Sequence, residues 1–347
     1  MRIDLHSDTK TKPTPGMLEA MAKSEVGDEQ LFEDPTVNAL CERVAELLGM
    51  EAALFLPSGT MCNQIAAAVH CRPGDEIIAD RTSHILTIEG AGAAVTARAA
   101  GNMLAGAHGI FSAEQLEAAI RPIDRYSPRS RLVSIEQTSN FGGGSVWPLE
   151  TLRAITHIAK DHGLILHMDG ARLPNACVAS GVSAKDYCRD FDTAWIDFSK
   201  GLGCPVGAAM AGSRSFVDEA WRWKQRLGGA MRQAGILAGA ALYALDNNVE
   251  RLTDDHANAK FLAERLAKVP GLAVDAAAVE TNIVMIDVGD TGLSAQQVSK
   301  SLLGRGVRMG AIDGTNMRAV THLDILRGEV EEAGNILADL VADQIAA

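Results

Sequence analysis

At 347 residues, with 47% hydrophobic and 22% charged side chains, the chain has apolar material for a large domain plus a smaller one, which excludes a disordered protein. A formal charge of -12 and the lack of any Lys/Arg cluster argue against nucleic acid as a partner. No apolar run approaches bilayer length and Met1–Asp8 lacks the basic flank and apolar core of a signal peptide, so the expected setting is the cytoplasm, with no membrane partner.

In chain order, helical patterns alternate with short apolar runs from about residue 37. The spacing predicts a helix over Val37–Leu48, a strand over Ala53–Leu56 and a helix over Met61–Val69. Further strands are expected at Glu76–Ala79, Arg131–Ile135, Leu164–Met168, Thr193–Asp197 and Gly207–Ala211. That alternation implies an α/β fold, a mostly parallel central sheet with helices on both faces. A long helical stretch over Arg232–Leu245 leads into Arg251–Val269. After Pro270-Gly271 come a strand over Asn282–Asp287 and a closing helix over Glu329–Ile345. The division expected is a large domain over 1–250, with an N-terminal active-site segment over 1–36, and a small C-terminal α+β domain over 251–347. The six cysteines form no C-x-x-C pair, so neither a disulfide framework nor a metal site is expected, and His70-Cys71 alone is a weak metal hint.

Three segments carry chemistry. Ser199-Lys200-Gly201 follows a buried strand, and a lysine desolvated there would have a depressed pKa and could attack a carbonyl. Standing alone, it also fits a lysine snorkelling at a strand end. Asp169 ends the strand before Gly170-Ala-Arg172, at the carboxyl edge where open α/β sheets bind ligands, although an aspartate there can merely cap a helix. Leu56-Pro57-Ser58-Gly59-Thr60 is a strand, a tight turn and a helix start, which suits a phosphate as well as a simple cap. An amine, a carboxylate and a phosphate nest are together the anchors that pyridoxal 5'-phosphate needs. Lys200 would carry it as a Schiff base and Asp169 would keep its ring nitrogen protonated, so that the ring can draw electrons from the substrate.

Beyond those anchors, Asp4-Leu-His-Ser7-Asp8-Thr9, Glu33-Asp-Pro-Thr-Val-Asn38, Ser83-His84, His167-Met-Asp-Gly-Ala-Arg172, Ser199-Lys-Gly-Leu-Gly203, Met231-Arg-Gln-Ala-Gly235 and Arg318-Ala-Val-Thr-His-Leu-Asp324 resemble the threonine aldolase family of fold-type I enzymes, over nearly the whole chain. The resemblance implies that His84 lies over the cofactor ring and is the candidate base. It implies that Ser58, Gly59 and Thr60 hold the phosphate with Arg232 from a neighbouring subunit, and that Ser7, Arg172 and Arg318 grip the substrate carboxylate, with Arg172 also among the cofactor-binding residues. Arginine suits that last task because its planar fork binds a carboxylate bidentately. The implied reaction is retro-aldol cleavage of a β-hydroxy-α-amino acid to glycine and an aldehyde, in a homo-oligomer that is a dimer of dimers with active sites at the dimer interface.

The chain departs from the family pattern on the substrate side. His6 replaces an arginine, Leu31-Phe32 a Tyr-Gly pair, and Ser139 a histidine that commonly contacts the substrate's β-hydroxyl. A bulkier or more polar substrate side chain, or an altered diastereomer preference, is therefore expected, with Ser139 in the substrate set. The same anchors also serve transamination, β-elimination, racemisation and transaldolase-type exchange, or cofactor binding without turnover.

Overall fold

The apolar runs become strands and the amphipathic stretches between them become helices. The structure, a computed structural model, describes residues 2–345. Its strands are β1 (Ile3–Asp4), β2 (Ala52–Leu56), β3 (Asp75–Asp80), β4 (Ala100–Leu104), β5 (Arg129–Glu136), β6 (Ile165–Gly170), β7 (Thr193–Asp197), β8 (Ala208–Gly212), β9 (Ile283–Asp287), β10 (Val307–Arg308), β11 (Gly310–Ala311) and β12 (Asn316–Val320).

Strands β2 to β8 form one sheet in the order β2-β8-β7-β6-β5-β3-β4. Neighbours from β7 to β4 are parallel, while β8 runs antiparallel to both β7 and β2. The expected mostly parallel sheet is thus present, with one reversed strand. Helices cover both faces, so β7 and β8 are buried along their whole length.

The helices start and stop where local chemistry dictates. Asp34 accepts from the Val37 N–H at the head of the helix Pro35–Leu48, Pro35 opens it, and Gly49 closes it at φ +68°, a backbone only glycine adopts without strain. Its face Val37, Leu40, Val44 and Leu48 packs into the main core with Phe55, Val133 and Ile196.

Two expectations shift. The helix expected from Arg232 begins at Gly235, because Met231–Ala234 form a loop, and it ends at Asn247 before a second helix, Leu252–Leu266. β4 escaped the sequence reading because it is the sheet's edge, short and mostly exposed, with Gly101 and Asn102 at its centre.

A second core lies under the three-stranded antiparallel sheet β11-β12-β9. Residues from far upstream complete it. Strand β1 pairs parallel with β10, and Ile3 and Leu5 pack with Leu262, Val284, Met317 and Leu337. Among the described residues no helix is long and apolar enough to cross a membrane.

Candidate active site

Neighbouring strands deliver carboxylates to one edge. Asp80 of β3, Glu136 of β5, Asp169 of β6 and Asp197 of β7 stand at or next to the carboxyl ends of their strands, all buried. The register sets Glu136 beside Asp169 and Asp169 beside Trp195. Asp80 is spent on its own loop, accepting from Thr82 and from the Gly106 N–H. The other three face the functional side chains.

Lys200 follows β7 as expected, and its Nζ donates to Asp197 Oδ2 at 2.7 Å. Burial alone would lower this amine, but the Asp197 carboxylate outweighs burial and holds the pKa above its ordinary value. The expected depression is therefore reversed, because the same strand that buries the lysine supplies its counter-ion. Asp197 is itself fixed by the Ser199 N–H and hydroxyl. Lys200 Nζ also stands 5.7 Å from the centroid of the Trp195 ring.

Asp169 is buried. Its Oδ2 accepts from Asn63 Nδ2 at 2.7 Å and its Oδ1 from the Ala171 N–H at 3.1 Å. Burial first, and the Glu136 carboxylate second, push its carboxyl up to about 7. The other Asn63 amide hydrogen goes to Glu89 Oε1 at 2.7 Å, and that oxygen also faces His84 Nδ1 at 2.7 Å. Burial would lower the His84 imidazole, but the Glu89 hydrogen bond and the Asp169 charge raise it overall. The His84 N–H donates to Glu136 Oε2. Glu136, buried, is itself raised by desolvation.

The turn after β2 meets the same group from above. Ser58 Oγ accepts from the Met61 N–H at 3.2 Å, so this serine does cap the helix Gly59–His70, and its own hydroxyl hydrogen remains to be given. Gly59 is required by close approach, since a Cβ there would stand 2.2 Å from the Trp195 ring. Thr60 lies in the first turn behind it. Arg232 is elsewhere. It is mostly exposed and paired with Asp28, on a loop pinned by the fully buried Lys224–Glu29 pair at 2.8 Å.

The two candidate carboxylate-binding arginines share one asparagine. Arg172 spends Nε and Nη2 on Asp8, at 2.7 and 2.8 Å, which leaves Nη1 directed to Asn140 Oδ1 at 3.5 Å. That guanidinium overcomes the cost of burial and holds the Asp8 carboxyl well below its usual range. Arg318 Nη1 donates to the same Asn140 oxygen, while its buried Nε has no partner. Burial first, then the Arg172 charge, push Arg318 down to about 10. Ser7 caps the turn that carries Asp8. Ser139, next to Asn140, turns its hydroxyl toward the Gly142 N–H at 3.2 Å and against Gly109.

Lys200, Asp169, His84 and the Ser58–Thr60 turn are thus brought together around Trp195 and Asn63, with the two arginines on the N-terminal segment's side, and Arg232 stands apart. Pyridoxal phosphate fits the residues present. Asp169, Glu136 and Glu89 form a buried acidic floor suited to a cationic ring, Glu89 Oε2 and Arg318 Nε lack partners, and an amine stands beside them. Asn63, Glu89, Glu136, Asp197 and Asp8 were not singled out from sequence. A signal existed for two of them, since Asp197 ends a predicted strand and Glu136 directly follows one, as Asp169 does.

Residues 4–290 match the beta-eliminating lyase family. The low specificity L-threonine aldolase of Escherichia coli K12 is 41% identical, over 95% of this chain and 96% of that protein. A threonine aldolase from Leishmania major shares the backbone at TM-score 0.83 and 22% identity, covering 98% of this chain and 99% of that one. An aspartate aminotransferase from Rhizobium meliloti does so at 0.76 and 16%, covering 98% and 91%. The chain belongs to the beta-eliminating lyase family, on its threonine aldolase branch.

Proposed function

We propose that this lyase cleaves threonine-type β-hydroxy-α-amino acids by a retro-aldol reaction, releasing glycine and an aldehyde. The observation that carries the reading is the meeting of Lys200, Asp169 and His84 on Trp195 and Asn63, with an arginine whose Nε has no partner linked through Asn140 to Glu136.

Lys200 would hold the cofactor, Asp169 its ring nitrogen and His84 its ring face. Ser58, Gly59 and Thr60 would hold its phosphate, with Arg232 of a neighbouring copy. Pyridoxal phosphate, when bound, supplies the sink for the electron pair released as the Cα–Cβ bond breaks. Arg318, helped by Arg172 Nη1, Ser7 and Ser139, binds the substrate carboxylate, satisfying the Arg318 Nε. His84 takes the β-hydroxyl proton. Its Nδ1 faces the Glu89 carboxylate, which fixes the Nδ1–H tautomer and leaves Nε2 as the accepting atom. Glu89 then steadies the imidazolium that forms. Arg232, mostly exposed in the single chain, supports assembly as a homo-oligomer, a dimer of dimers, and the six unpaired cysteines suit a reducing cytoplasm.

His84→Phe keeps a flat ring but removes the base. Turnover should fall by roughly 10²- to 10⁴-fold while pyridoxal phosphate content, read by visible absorbance, stays near wild type. Near-normal turnover would exclude His84 as the base.

The substrate preference is displaced from threonine. The Ser139 hydroxyl is held by the loop around Gly142, and Leu31 and Phe32 stand exposed, with Phe32 edge-on to Trp221 at 5.7 Å. A panel of β-hydroxy amino acids in all four stereoisomers, scored by glycine release, should give a branched or aromatic member a kcat/KM about tenfold or more above that of L-threonine. Equal efficiencies would remove the displaced preference. A keto acid with ammonia, or an inverted amino acid, in place of glycine would replace the aldolase reading.

A further inference from the structure

A line of hydrogen bonds reaches Asp169 from behind. His70, in the last turn of the helix that begins at Gly59, lies with Nε2 3.2 Å from Thr193 Oγ1, its ring stacked on Phe216 at 4.9 Å. Thr193 Oγ1 is 2.8 Å from His167 Nδ1, and His167 Nε2 is 3.1 Å from Asn63 Oδ1. Asn63 then contacts Asp169 and Glu89 through its nitrogen, both at 2.7 Å. Every link except His70, which is half-buried, is fully buried.

The direction of this line follows from donor chemistry. The Trp195 indole can only donate, and its Nε1 is 2.8 Å from one end of the Asn63 amide, so that end is the oxygen. The other end is the NH₂, and both of its hydrogens go to carboxylates. His167 Nε2 faces the amide oxygen and must therefore carry a hydrogen. Burial holds His167 down to about 3, so the ring is neutral and its Nδ1 must accept, from the Thr193 hydroxyl. Thr193 has then given its only hydrogen and can only accept from His70 Nε2–H. Burial pushes His70 down to about 4, so it too is neutral and is the Nε2–H tautomer.

We propose that His70, Thr193, His167 and Asn63 form a one-way donor relay ending on two acids. Asn63 is its positioning residue, holding Asp169 as a carboxylate toward the cofactor and tying it to the Glu89–His84 pair. The proposal rests on Asp169 being the partner of the cofactor's ring nitrogen. The line sets the protonation of two histidines, and one amide serves both the cofactor's acid and the base.

Two measurements on the whole enzyme test it. With ¹⁵N-labelled histidine, His70 and His167 should both appear as neutral Nε2–H tautomers between pH 6 and 9, and an Nδ1–H tautomer or an imidazolium at either position overturns the relay. With ring-¹⁵N pyridoxal phosphate bound, Asn63→Leu should strip the ring nitrogen of the proton it carries in wild type and raise the Kd for the cofactor by about 10- to 100-fold, the scale of one or two buried donors. Thr193→Val, a smaller change of similar shape, should move both readouts in the same direction by a few fold, and it remains decisive where Asn63→Leu does not fold. Wild-type ring protonation in a folded Asn63→Leu, or in Thr193→Val, overturns the proposal. Asp169→Ala is the control. A ring nitrogen still protonated there sinks the Asp169 assignment, whereas loss there with none in Asn63→Leu sinks the relay alone.

Discussion

We expect Lys200→Ala to turn over β-hydroxy amino acids about 10⁴-fold more slowly than wild type or worse, the scale of losing a covalent nucleophile. The side chain is largely buried just past the end of β7 and rests as an ammonium on Asp197, so its loss leaves that carboxylate without its amine. Borohydride reduction of the wild-type enzyme followed by peptide mass analysis should place the pyridoxyl label on Lys200. A label on a different lysine, or a Lys200→Ala protein with ordinary turnover, would overturn the site. Because Asp197 keeps the amine protonated, Asp197→Asn should lower the pH at which the cofactor attaches, an effect separable from loss of the lysine.

Asp169→Asn should have two effects of opposite sign. With cofactor bound, turnover should fall by about 10²- to 10³-fold, as expected when one preorganised electrostatic contact is removed. Without cofactor, the substitution should stabilise the protein. Burial and Glu136 raise the Asp169 carboxyl from 3.8 to about 7 in the folded state. A carboxyl raised by folding contributes stability that is fully present below the unfolded-state value and is lost as pH rises through the folded-state value. The asparagine cannot ionise and keeps an oxygen for the Asn63 donor, giving up only the longer 3.1 Å bond from the Ala171 N–H. The Tm of cofactor-free Asp169→Asn should therefore pull ahead of cofactor-free wild type from about pH 4 to pH 7 and hold a lead of several degrees above that, equivalent to a few kcal/mol. Pyridoxal phosphate should erase the lead. A Tm difference that does not change with pH would show that Asp169 carries no stored charge.

The sheet was legible because burial on both faces writes β8 as an unbroken run of mostly small apolar residues and gives β7 an apolar centre over Ala194–Ile196. β4 was not, since an edge strand with alternating exposure has no such signature. In the site, Lys200 and Asp169 could be found because each ends a recognisable element. Their partners could not. Asn63 reads as one more polar residue in a helix, and only the fold brings it between His167, Trp195 and two acids. The protonation of Lys200 was misjudged for the same reason, as its counter-ion lies three residues upstream on the same edge and spacing alone does not show that the two side chains meet. Arg172 illustrates a subtler limit. It was expected to grip a substrate carboxylate, but most of its fork is taken by Asp8, 164 positions away.

That Asp8–Arg172 clasp bears on how the enzyme comes into being. Residues 3–8 pair with a strand starting at Val307, pass under His322, whose Nε2 meets the Asp4 carbonyl across 318 positions of chain, and end on the catalytic sheet. During synthesis Arg172 emerges half-way, but these residues wait for nearly the entire polypeptide to leave the ribosome before Val307 and His322 exist to hold them in place. The pocket is then among the last parts of the molecule to close, so a nascent chain halted before β12 should carry a largely formed sheet yet no competent centre.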